Sequence, residues 1–97
     1  MPPKLSWDEE KRKSNLSKHG LDFAHVVDFE EDSALVAEDT RGKVDPKFQY
    51  RERRYIALGL MRGKLVVLVY APTLRDTWRI ISLRPAVPEE QSLWLGK

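Results

Sequence analysis

The 97-residue chain has no cysteine and only two histidines. The first absence excludes a disulfide framework and a thiolate metal site. With His19 and His25 as the only imidazoles, no zinc-ligand spacing appears; grouping them with Asp22 or Asp28 around one ion is the weak alternative. Long apolar runs are also missing. The longest, LVVLVYA at 65–71, falls far short of the roughly 20 residues a membrane helix needs. The N-terminal MPPKLSWDEEK holds no apolar segment of the signal-peptide kind, so a cytoplasmic protein without a membrane partner is expected. RGK at 62–64 lacks the rest of a phosphate-binding loop, and no G-x-S-x-G elbow is present. There is no repeat, linker or low-complexity stretch. The length suits one domain with a modest core, so residues 1–97 are read as a single unit.

What is present is charge, unevenly placed. One-third of the residues are charged and the net charge is only +2. Residues 21–40 carry Asp22, Asp28, Glu30, Glu31, Asp32, Glu38 and Asp39 with no Lys or Arg. Residues 41–84 are dominated by Lys and Arg, opposed only by Asp45, Glu52 and Asp76. Such polarity can steer a polyanion to one side of a domain.

Ser6 and Glu9 read as a capping box that opens a helix over 7–18. Its early acids and late bases suit the helix dipole. In NLSKHG, residues 15–20, Gly20 fits the position just past the helix, where a positive φ closes it. Lys18 and His19 then fall in the last turn, where cations are favoured whether or not they carry chemistry. Asp22 can cap a second, short helix whose apolar face is Phe23, Val26 and Val27. ALVAED at 34–39 reads as a strand, and 40–52 as a loop. RYIALGLM at 54–61, LVVLVYA at 65–71 and TWRIISLR at 77–84 form a meander, turned at Arg62-Gly63 and over 72–76. VPEEQSLWL at 87–95 reads as a C-terminal helix with Pro88 in its first turn. The expected fold is α+β: two N-terminal helices, an antiparallel four-stranded sheet and a short C-terminal helix.

Phosphate binding is the chemistry these residues best permit. Arg51, Arg53, Arg54, Arg62, Arg75, Arg79 and Arg84 supply rigid forks, interleaved with Tyr50, Tyr55, Tyr70 and Trp78, which could stack on unpaired bases. Arg79 interrupts an apolar strand, although an edge position would explain it equally. Arg79 and Arg84 differ by an odd number, so a regular strand sends them to opposite faces. They share a site only if the strand bends or ends near Pro85.

The pattern W-D-E-x-K-x-x-x-N-x-x-K-H-G-x-x-F at 7–23 resembles the BrnT family of type II toxin–antitoxin systems. ERRY at 52–55, Gly59, VVLVY at 66–70 and R-I-I-S-x-R at 79–84 extend the resemblance over nearly the whole chain. It implies a RelE-like fold and a ribonuclease that needs no metal or other cofactor and arrests translation. It also implies a BrnA-like ribbon-helix-helix antitoxin as partner, which touches DNA on the pair's behalf.

Under that resemblance the catalytic set is His19, Lys18, Arg54, Arg79 and Arg84. His19 is the titratable base, Lys18 its electrostatic partner, and the arginines stabilise charge. Arg53, Arg62, Tyr70 and Trp78 are the expected RNA contacts, and Trp94 and Leu93 the expected antitoxin contacts. The segment after Arg84 departs from the family: PAVPEEQSLWLG holds no Lys or Arg where relatives carry a basic helix. The alternative reading is therefore a weakened or inactive toxin-like module that binds an antitoxin and acts in operon regulation.

Overall fold

The computed structural model describes residues 3–40, 52–73 and 75–96. The elements are β1 (Lys4–Ser6), α1 (Glu9–His19), 3-10 turns at Phe23–Asp28 and Glu31–Ser33, β2 (Leu35–Glu38), β3 (Tyr55–Met61), β4 (Lys64–Thr73), β5 (Thr77–Pro85) and a C-terminal helix, α2 (Pro88–Leu95). The five strands form one sheet in the order β1-β5-β4-β3-β2. All neighbours are antiparallel except β1, which runs parallel to β5.

The expected four-stranded antiparallel sheet is thus a five-stranded mixed one. Lys4–Ser6 is too short to show a strand period. It is a strand because β5 offers it an open edge, pairing Leu5 with Trp78. Ser6 therefore ends β1 instead of capping α1. The cap is Asp8, whose carboxylate accepts the Glu10 and Lys11 amides at 2.9 and 3.2 Å. At the other end Gly20 adopts φ 71° and its amide returns to the Leu16 carbonyl, as the sequence predicts.

The second N-terminal helix is a 3-10 turn capped by Asp22. Six residues tied down by Phe23 and Val26 have no room for a longer α-helix before the chain bridges Phe29 to Met61. The loop expected over 40–52, with Tyr50 and Arg51, lies almost wholly outside the described residues.

Strand register assigns the two sheet faces. Tyr55, Ala57, Gly59, Met61, Val66, Leu68, Tyr70, Trp78, Ile80 and Leu83 share one face. Leu21, Phe23 and Val26 cover it to form the core, and Trp7 meets Phe23 edge-on with ring centroids 6.4 Å apart. Phe29 lies over Gly59 so closely that a Cβ there would meet its ring at 2.8 Å. The opposite face carries Ile56, Leu58, Val67, Val69 and Ala71, and α2 packs toward its β3 side.

Candidate functional site: the arginine-bearing face of β5

The odd spacing of Arg79 and Arg84 is resolved by a β-bulge. Val69 pairs with Ser82 but Tyr70 pairs with Ile80, so Ile81 has no partner on β4. One extra residue resets the alternation. Arg79 then lies opposite Ala71 and Arg84 opposite Val67, and both belong to the face away from the core.

The two arginines are in different states. Arg79 is exposed, and among the described residues its side chain makes no hydrogen bond or ion pair. Arg84 is gripped. Its two terminal nitrogens donate to the two carboxylate oxygens of Glu90 at 2.8 and 2.7 Å, and Nη1 also reaches the Pro85 carbonyl at 3.3 Å. Glu90 in turn accepts the Val87 amide at 2.8 Å. The Arg84 guanidinium, more than burial or the amide, sets the sign of the Glu90 shift: the carboxyl is held below its ordinary range. Arg54, one residue before β3, keeps its Nε 3.8 Å from Glu52, and its carbonyl accepts the Asp39 amide at 2.8 Å.

His19 and Lys18 sit in the last turn of α1, His19 half-buried and Lys18 exposed. Among the described residues neither side chain makes a hydrogen bond or ion pair, so the structure does not join them to the arginines by a direct bond. They are nonetheless tied to the same strand. Asn15 fastens α1 to Leu83 of β5, and His19 lies one turn further along the same helix face.

Of the expected RNA contacts, Arg53 is exposed, whereas Arg62 donates to Asp28 at 2.8 Å. Tyr70 is a correction. It is 7% exposed and lies between Tyr55 and Trp78, at 5.9 and 4.0 Å between ring centroids. Cross-strand neighbours already stack on it, so it offers a base no open face. Burial, then the nearby Glu31, pushes its phenol up. Trp78 is half-buried in that stack and also lines a cavity with Leu5, Val26, Phe29 and the acidic stretch 30–32. Of the weak metal grouping, Asp22 is occupied by the Ala24 amide and Arg12, and Asp28 by Arg62.

Leu93 is 62% exposed. It lines an apolar groove of about 240 Å³ with Leu35, Ala37, Ile56, Leu58 and Val67. Trp94, beside it, is half-buried. The residue that sequence reasoning used only as a motif letter is Asn15. No signal in the sequence marks it, because one polar residue in a polar helix reads as solvated.

An α+β chain whose sheet is edged by a helix and bears arginines on one face has a solved counterpart among ribonuclease toxins. The crystal structure of the Brucella abortus ribonuclease toxin BrnT is similar to this chain with a TM-score of 0.64 and 30% sequence identity, covering 88% of this chain and 97% of that one. Residues 7–90 match the family described as the ribonuclease toxin, BrnT, of type II toxin–antitoxin systems. The chain belongs to the BrnT family. No curated protein sequence matches it. Among the described residues no helix is long and apolar enough to cross a membrane.

Proposed function

We propose that this chain is an active toxin that cleaves RNA without a metal, arrests translation in the cytoplasm and acts as one domain over residues 1–97. The observation that carries the reading is the Ile81 bulge, which gives Arg79 and Arg84 a common face with the Arg79 fork exposed. Cleavage uses the RNA's own 2′-hydroxyl. Its oxygen forms a bond to the adjacent phosphorus while the bond to the 5′-oxygen breaks, leaving a cyclic phosphate and a 5′-hydroxyl. His19 takes the 2′ proton, with Lys18 as its electrostatic partner, and the departing 5′-oxygen takes its proton from water. Arg79, with Arg54 and Arg84, stabilises the extra negative charge on the phosphate. Arg53 and Arg62 contact the strand from its flanks, whereas Trp78 lies on the core face, away from the arginines. A BrnA-like antitoxin covers α2 through Leu93 and Trp94, and reaches DNA for both proteins.

Expression of the chain alone should stop growth, and purified chain should cleave RNA in the presence of EDTA. Normal growth with intact RNA overturns the reading. One observation favours a second reading, a weakened module that binds the antitoxin and serves operon regulation: Glu90, in the first turn of α2, occupies the fork of Arg84. That module would bind antitoxin with no arrest.

A further inference from the structure

We infer that Glu90 is a built-in competitor for RNA phosphate, sitting in the fork of Arg84 and setting how tightly this chain holds its substrate. The inference rests on the RNA-cleaving reading above and goes beyond it by naming what restrains the site.

The geometry is that of a carboxylate in a phosphate's place. Both oxygens of Glu90 face both terminal nitrogens of Arg84, at 2.8 and 2.7 Å. Parallel two-point pairing of this kind is how a guanidinium binds phosphate. The pair is only partly buried, with the side chains 36% and 25% exposed, so an incoming anion can reach it.

The carboxylate is also anchored independently of Arg84. Its Oε1 holds the Val87 amide at 2.8 Å, at the start of a helix whose first residue is Pro88. The link from β5 is only Ala86 and Val87. Chain geometry therefore returns Glu90 to Arg84 whenever the phosphate leaves. Arg79, on the same face, meets no such carboxylate among the described residues. One cation of the pair is open and the other is shielded until displaced.

The test is binding of a short fluorescein-labelled 2′-O-methyl RNA, which cannot be cleaved by 2′-hydroxyl attack, followed by anisotropy over a salt series. Glu90→Gln keeps an acceptor for the Val87 amide but gives up the charged fork. It should tighten binding about tenfold, the scale of one charge-assisted contact. The salt slope should steepen by about one phosphate contact. Glu89→Gln removes the same charge one residue away and should change neither by as much. Glu90→Asp keeps the charge but withdraws it from the fork, and should tighten binding in the same direction if Glu90→Gln folds poorly. The loss caused by Arg84→Gln should be larger in the Glu90→Gln background than alone.

Equal or weaker binding by Glu90→Gln overturns the inference. So does the same gain from Glu89→Gln, or an Arg84→Gln loss independent of background. If the wild type binds and Arg79→Gln loses RNA in every background, only the Glu90 role has failed. If no variant binds RNA, the RNA-cleaving reading fails with it.

Discussion

The side chain of Asn15 completes the edge of the sheet at Leu83. Its amide nitrogen donates to the Leu83 carbonyl at 2.7 Å, and its oxygen accepts the Leu83 amide at 3.1 Å. The same nitrogen donates to the Leu21 carbonyl at 3.1 Å. A carboxamide has the one acceptor and two donors this requires. At 9% exposure, Asn15 does for β5 beyond Ser6 what a further residue of β1 would have done.

Asn15→Leu should therefore destabilise the fold by about 2–4 kcal/mol, since it leaves buried backbone groups of Leu83 without partners. Asn15→Asp should be at least as severe, because a carboxylate has no donor for the two carbonyls. Urea denaturation measures both. Unchanged midpoints would show that water replaces the side chain.

His19→Ala should lower RNA cleavage by about 10²-fold, the usual scale for losing a general base. The melting temperature should hardly move, because the side chain makes no hydrogen bond or ion pair among the described residues. A parallel fall in folding and activity would assign His19 to helix termination alone.

Arg79→Lys should fold normally and lose most cleavage, because an ammonium cannot replace a two-pronged donor on phosphate. Arg84→Lys should be milder for cleavage and more costly for α2, since the lost fork is the one holding Glu90. Cleavage assays beside circular dichroism separate the two effects. Full toxicity of Arg79→Lys would remove its phosphate role.

Leu93→Asp should weaken antitoxin binding by roughly 2 kcal/mol or more, as truncating an apolar anchor does, and leave the isolated chain folded because the residue is exposed. Calorimetric titration with the antitoxin reads the change. Undiminished binding would move the interface away from α2.

Acid should loosen the α1 and α2 attachments. Arg12 is the principal cause holding Glu9 down to about 2. The Ala24 amide lowers Asp22, and Arg84 lowers Glu90. For carboxyls depressed on folding, the stabilisation is complete above their unfolded values, 4.5 for glutamate, and disappears as pH falls through the folded ones. The melting temperature should be flat near neutrality and drop below about pH 4.5. Glu90→Gln should remove part of that slope, and a slope identical to wild type would contradict the pairing.

Much was decided by local sequence. Gly20 ends α1 because only a residue without a Cβ takes its φ without strain. The Arg62-Gly63 hairpin, β4 and β5 follow from β-branched runs broken by turn residues, effects that act within a few positions. The family, too, was legible, because WDE, KHG and RIIS keep their order along the chain. Tertiary structure alone decided the rest. Ser6 became strand because an edge was open, which left the local cap to Asp8; Tyr70 went inside because Tyr55 and Trp78 flank it across β3 and β5. The bulge at Ile81 reversed the parity that would have parted Arg79 from Arg84, and Glu90 closed on Arg84 across a β5–α2 corner. Each depends on what lies across a strand gap or a chain reversal, and pairing across such gaps is not encoded in residue spacing.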